Sequence, residues 1–153
     1  MARTAPVCMY YQIQFETAIR GHHIYKDVWL PQIGQRLICK KDDRDEALQY
    51  DVNAIGLYRK EGEELLVGHV PIELSCLLKN FLQANSDNVI EAEVSGKRKR
   101  EVGLIVPAKY TAYTKVKSNA SILCEKLCEK KARLSNFELV HASQCIVKKA
   151  YKF

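Results

Sequence analysis

Tyr50, Asp51 and Asn53, in the run YDVNAI, put an aromatic face, a carboxylate and an amide at the mouth of a segment that turns apolar at once through Ala54, Ile55 and Leu57. Two chemistries use such a trio. Asp and Asn side chains bond to nearby backbone and start turns, whereas an exposed Tyr beside them is a stacking surface for a nucleobase. A second cluster, Lys97, Arg98, Lys99 and Arg100, follows Gly96. Four adjacent cations suit phosphate binding or a nuclear import patch, and equally a solvated hairpin tip.

Other groupings bear on catalysis or metal binding. Asp42, Asp43, Asp45 and Glu46 crowd one loop, and the aspartates with Asp51 are hard oxygen donors of the kind Mg²⁺ takes for nuclease chemistry. Such sites normally gather carboxylates from separate elements rather than one run, so no catalytic role is assigned. Cys124 with Cys128, and His141 with Cys145, each four apart, imitate a zinc quartet. Zinc sites usually bring tighter cysteine pairs and turn glycines, and cysteine as a small buried apolar residue is preferred. No GxxxxGK[ST] phosphate loop occurs, and the motifs contain no Ser/His/Asp or Cys/His arrangement. The expectation is a non-enzyme with no cofactor and no metal.

The elements that must position these residues follow from periodicity. Tyr11, Ile13, Phe15, Thr17 and Ile19 alternate with polar neighbours, the period of a strand with one wet face. Residues 36–40 and 54–59 read as strands around the acidic loop, and 64–70 as another. Pro71 opens ELSCLLKNFLQ, where Leu74, Leu77, Leu78, Phe81 and Leu82 recur at helical spacing. Residues 89–95 and 101–106 read as a hairpin whose tip carries Gly96 and the four cations. After Pro107 the pattern changes. Ser118 or Asn119 caps a helix running to about Arg133 with Ile122, Leu123 and Leu127 on its apolar side. Trp29 reads as core. Several strands, a helix and two more strands make a small curled sheet or open barrel with a helix across it.

A chain of 153 residues with 47% hydrophobic content can bury a core without staples. No apolar run approaches the roughly 20 residues of a membrane span, and residues 1–6 lack an apolar signal core. A soluble intracellular protein with reduced thiols is expected. Residues 1–114 hold 15 basic and 15 acidic residues, and residues 115–153 hold 9 and 3, so the net charge of +6 belongs to the C-terminal quarter. Its last stretch, 134–153, has weak periodicity and a basic end, and is expected to be poorly ordered.

Gly21, Tyr25, Val28, Trp29, Gly34 and Leu37, then YDVNAI, then GHVP and its leucine-rich helix, together resemble the HIRAN domain family over roughly residues 19–106. The two motifs in this order are fairly specific; either alone is weak. The resemblance implies an OB-like β-barrel that captures the free 3′ end of single-stranded DNA. It also implies a context in DNA repair or fork remodelling, with a helicase-like ATPase on another polypeptide and a nuclear location. Carried over by position, Tyr50 would pack on the terminal base and Asp51 would accept a hydrogen bond from the 3′ hydroxyl. A carboxylate welcomes that donor and repels a phosphate, so it favours an end over an internal nucleotide. Tyr25 would stack on the next base, and His69 would meet phosphate or sugar, with Asn53 completing the motif. The chain departs from the family pattern at Ile24, which replaces the first of an aromatic pair, and at Gln49, which replaces a proline. The acidic run before it would repel a phosphate chain unless turned away.

Each of these residues also has a purely structural reading: Asp51 and Asn53 as loop braces, Tyr25 and Tyr50 as half-buried sheet residues, His69 as a strand residue. The expected fold is α+β and mostly β: a small OB-like or SH3-like open β-barrel with one packed helix in residues 1–114, then a basic C-terminal helix and tail in 115–153. The expected function is capture of single-stranded DNA ends through Tyr25, Tyr50, Asp51, Asn53 and His69, aided by Lys97, Arg98, Lys99 and Arg100. The alternative is a protein interaction adaptor that keeps the fold without DNA binding, with a metal-dependent nuclease behind both.

Overall fold

The strand expected from the alternation at Ile13, Phe15 and Ile19 is β1, Val7–Ile19, and those three side chains are buried. A computed structural model describes residues 7–148 apart from 28, 61, 102 and 132–137; of residues 7–9, 23, 100, 101, 103, 131 and 138–148 only the backbone is described. The other elements are α1 (His22–Tyr25), β2 (Arg36–Lys41), α2 (Asp45–Tyr50), β3 (Ile55–Arg59), β4 (Leu66–His69), α3 (Ile72–Ala84), β5 (Val89–Val94), β6 (Lys99–Glu101), β7 (Gly103–Thr114), α4 (Lys117–Lys131) and β8 (Glu138–Lys148). The fold is mixed α+β. Its antiparallel sheet runs β4-β3-β2-β5-β7-β1-β8, with β6 paired to β7, and the path is open between β4 and β8. Among the described residues no helix is long and apolar enough to cross a membrane.

One core joins the sheet to both long helices. Leu37, Ile55, Leu57, Ile90 and Tyr110 pack with Leu74 and Leu78 of α3 and Leu123 and Leu127 of α4. Phe15 and Tyr110 stack across β1 and β7 with centroids 5.1 Å apart, and the Tyr110 hydroxyl donates to the Ala18 carbonyl at 2.9 Å. A buried hydroxyl thus keeps a partner, as it must in apolar surroundings.

Four expectations are corrected. First, the hairpin pairing residues 89–95 with 101–106 is replaced by a pairing farther along the chain, with Ile90 opposite Ala112, Ala92 opposite Tyr110 and Val94 opposite Ala108. That register matches buried residues to buried residues on a single face, which decides strand pairing. Pro107 does not end β7 because β5 stops pairing at Ala108, so the missing N–H falls beyond that ladder. Lys97 to Arg100 therefore do not form a hairpin tip: Lys99 and Arg100 lie in β6, which folds back on β7.

Second, the acidic run is only partly a loop, since Asp42 and Asp43 lie in the link between β2 and α2. Asp45 and Glu46 occupy the first turn of α2, where carboxylates meet the positive end of the helix dipole. Third, the expected poorly ordered tail contains β8, whose backbone pairs with β1 from Val7–Lys148 to Glu16–Glu138 and so uses hydrogen-bonding groups β1 would otherwise leave at an edge. Of that tail, residues 134–137 and 149–153 lie outside the described residues. Fourth, Ile122 faces solvent at 57% exposure while Leu123 and Leu127 are buried. The boundary expected at 114/115 falls between β7 and α4, and α4 contributes to the same core as β7.

Candidate functional site

The YDVN turn joins the end of α2 to β3. The Asp51 N–H donates to the Ala47 carbonyl as α2 closes, and the Asp51 Oδ1 atom accepts the Asn53 N–H at 2.9 Å. This is an Asx turn. The brace and the ligand readings of Asp51 are compatible, because a carboxylate has a second oxygen and spare lone pairs. Tyr50 is 86% exposed, so it is not the half-buried sheet residue of the structural reading. Val52 beside it is also exposed.

Cations border this turn. Lys41 Nζ donates to the Val52 carbonyl at 3.1 Å, and Lys79 Nζ, from α3, donates to Asn53 Oδ1 at 3.1 Å. Neither lysine stands out in the sequence, since each is remote from the motif in the chain and reaches it only through the packing of β2 and α3.

His69 lies at the end of β4, next to β1. Arg20 and His69 exchange backbone hydrogen bonds of 2.8 and 2.9 Å, an isolated bridge between the end of β1 and the end of β4. Gly68 makes this approach possible: a Cβ there would sit 2.5 Å from Ile19 Cγ2 and 2.8 Å from the Arg20 carbonyl oxygen. Gly21 then turns the chain into α1 at φ 80°, in the left-handed region where glycine is unstrained. The glycine of GHVP and Gly21 are thus both explained by one chain crossing.

Behind His69 is a group that sequence reading placed at the surface. Asp42 is 1% exposed, and its carboxylate is shared. Arg44 Nε donates to Oδ1 at 2.9 Å and Arg44 Nη2 to Oδ2 at 3.0 Å, while His69 Nε2 lies 2.6 Å from Oδ2. Burial pushes the Asp42 pKa up, but the Arg44 and His69 hydrogen bonds outweigh it and bring the group down to about 2. An ionised carboxylate cannot donate, so His69 Nε2 carries the proton it shares. The pairing also raises the Arg44 pKa, through the Asp42 hydrogen bond first.

Tyr25 completes the cluster. Its hydroxyl accepts from Arg44 Nη2 at 3.3 Å, and its ring lies 6.4 Å from that of His69 at 43°. Three turns of chain, from α1, the β2–α2 link and β4, therefore converge on one buried carboxylate. The acidic run that would have repelled a phosphate is partly neutralised: Asp42 is paired inward, and Lys41 lies 3.5 Å from Asp43.

The basic segment meets α1 from its other end. Arg98 Nη1 is 3.3 Å from His22 Nε2; guanidinium has no acceptor, so that ring nitrogen accepts. Lys97, Arg98 and Lys99 are exposed, and the Arg100 side chain lies outside the described residues. His22 and Tyr25 share α1, which places Arg98 and Arg44 on contacts of one short helix.

The remaining groupings stand apart. Asp42 is occupied by Arg44 and His69, which takes it out of any shared ligand set with Asp43, Asp45 and Asp51. Cys124 and Cys128 contact each other on α4, and burial raises the Cys124 pKa, with Cys128 adding to the rise. The side chains of His141 and Cys145 lie outside the described residues, so the zinc quartet does too. Trp29 is buried as expected and donates to Gln35 Oε1 at 3.0 Å. A groove of about 510 Å³ runs between α3 and α4, lined by Leu77, Phe81, Ile122 and Leu123 with Glu73 and Lys126 at its sides. No protein-family model matches the chain, and no curated protein matches it.

Proposed function

We propose that this chain is a HIRAN-like, non-catalytic module that binds the free 3′ end of single-stranded DNA. The observation that carries the reading is the exposure of the Tyr50 ring immediately beside the Asp51 carboxylate, with Lys41 and Lys79 bonded to the same turn. A flat ring supplies stacking worth about 1–3 kcal/mol per base. The carboxylate supplies the preference for a hydroxyl over a phosphate, and the lysines offset its repulsion of the chain. Tyr25 and His69, whose rings lie 6.4 Å apart, would meet the next nucleotide, and Asn53, held by Lys79, keeps the turn in shape.

The finer architecture belongs to the same proposal. An OB-like or SH3-like barrel would be closed by β1 meeting β4, and the Arg20–His69 bridge supports that closure. A role beside a helicase-like ATPase, in the nucleus or another soluble intracellular setting, follows from the resemblance.

Titration of oligonucleotides ending in a 3′ hydroxyl or a 3′ phosphate tests the reading. Wild type should prefer the hydroxyl, lose affinity as salt rises, and lose the preference in Asp51→Ala. Equal binding of both ends by wild type refutes end capture. The α3–α4 groove with its exposed Ile122 favours the second reading, a protein interaction adaptor. In that case neither the salt response nor the end preference appears.

A further inference from the structure

Arg44 is half exposed, at 47% of its side chain, yet its guanidinium is hydrogen-bonded to both Asp42 oxygens and to the Tyr25 hydroxyl. Its Nε and Nη2 atoms are fixed by a carboxylate with no solvent exposure, and Nη2 also reaches the Tyr25 hydroxyl. The Nη1 atom is different. Its nearest acidic oxygen among the described residues is Glu46 Oε2 at 4.0 Å, on a side chain that is 79% exposed. An arginine usually loses rotamer freedom when it is immobilised. Here the fold has already fixed the guanidinium, with one edge inward and the other outward. Nη1, which makes no hydrogen bond among the described residues, is left as a directed N–H donor of the kind that phosphate oxygens accept.

We propose that Arg44 is a phosphate-contacting residue of the candidate site and that Asp42 is its positioning residue. Asp42 offsets part of the Arg44 field at long range, so the contact uses directed N–H donors together with the charge that replaces a counterion on the phosphate. The ligand class is a phosphodiester or another phosphate oxyanion. Nothing in the HIRAN-like motif marks Arg44; it is identified by the Asp42 pairing and the Tyr25 contact alone. The proposal deepens the end-capture reading and rests on it only for the identity of the bound strand.

The test uses the full chain with two probes: a dye-labelled ten-nucleotide oligothymidine ending in a 3′ hydroxyl or a 3′ phosphate, and inorganic pyrophosphate followed on the ¹⁵N resonances of the Arg44 guanidinium. Arg44→Gln should weaken the oligonucleotide about tenfold and make the salt dependence shallower by about 0.7 in logarithmic slope. The ratio between hydroxyl and phosphate ends should stay as in wild type. Arg44→Lys, which keeps charge but loses the fork, should recover only part of the affinity. Asp42→Asn should mimic Arg44→Gln, each read on protein with native circular dichroism; the pyrophosphate response of the wild-type Arg44 needs no variant and is decisive by itself. Pyrophosphate should shift the Arg44 resonance in wild type and not in folded Asp42→Asn.

Arg44→Gln with wild-type affinity and slope, or an Arg44 resonance unmoved by pyrophosphate, overturns the proposal. Loss of affinity in Arg44→Gln alongside a wild type that ignores the 3′ end sinks end capture and leaves the phosphate contact standing. A wild type that binds no oligonucleotide but whose Arg44 still responds to pyrophosphate does the same. Silence from both probes removes both readings.

Discussion

Two charge runs of this chain, acidic Asp42 to Glu46 and basic Lys97 to Arg100, look alike as blocks of one sign, and the fold treats them differently. The acidic run is split residue by residue: Asp42 is buried against Arg44 and His69, Asp43 and Glu46 stay in solvent, and Asp45 starts a helix. The basic run keeps Lys97, Arg98 and Lys99 at the surface, with Arg98 touching His22. A charge run is thus a weak guide to function until the partners of each member are known. A buried carboxylate needs hydrogen-bonded cations, whereas an exposed lysine needs only water.

The contrast is tested most severely by Asp42→Ala, which leaves His69 and Arg44 without their shared anion. Removing one partner of a buried ion pair costs about 3 kcal/mol, seen as a lower urea midpoint, while Asp43→Ala should change stability by less than about 0.5 kcal/mol. Equal effects of the two would place Asp42 at the surface. The next largest effect is in pH. Because the Asp42 pKa is depressed from 3.8 to about 2, the unfolded chain binds the proton more readily than the folded one. Its contribution, about 2 kcal/mol, is complete above the unfolded pKa and is lost as pH falls from about 4 toward 2. Stability curves of wild type and Asp42→Asn should converge over that interval; parallel curves would mean that another group carries the acid response.

On the basic side the effects shrink. Arg98→Ala removes a donor to the buried His22 ring and should cost about 1 kcal/mol. Lys97→Ala should leave the unfolding free energy unchanged within about 0.5 kcal/mol, although under the DNA-binding reading it lowers oligonucleotide affinity at low salt. A Lys97→Ala protein as unstable as Asp42→Ala would erase the distinction between the two runs.

Legibility in the sequence followed the range of the interaction. The alternation of Ile13, Phe15 and Ile19 and the spacing of Leu74, Leu78 and Phe81 are short-range signals, and β1 and α3 formed where those patterns lay. YDVN was legible as a turn because Asp51 bonds to Asn53, two residues away. The register of β5 on β7 was not legible, since nothing local says that Ala92 meets Tyr110 rather than a residue nearer the turn. Lys79 and Asn53 lie 26 positions apart and His69 and Asp42 lie 27 apart, so neither contact leaves a mark in either local pattern.

By itself the chain of residues determined the strand β1 and the helix α3, the Asx turn after Tyr50, and the glycines whose missing Cβ lets the end of β4 reach Arg20. Those follow from steric limits on single residues and from side-chain period along one segment. Only the tertiary structure decided that one aspartate of an acidic run is buried and ionised, that an arginine and a histidine share it, and that two lysines bond to the turn at Val52 and Asn53. The reason is physical: the free energy of a charged side chain is set by the groups packed around it, and these come from distant parts of the chain.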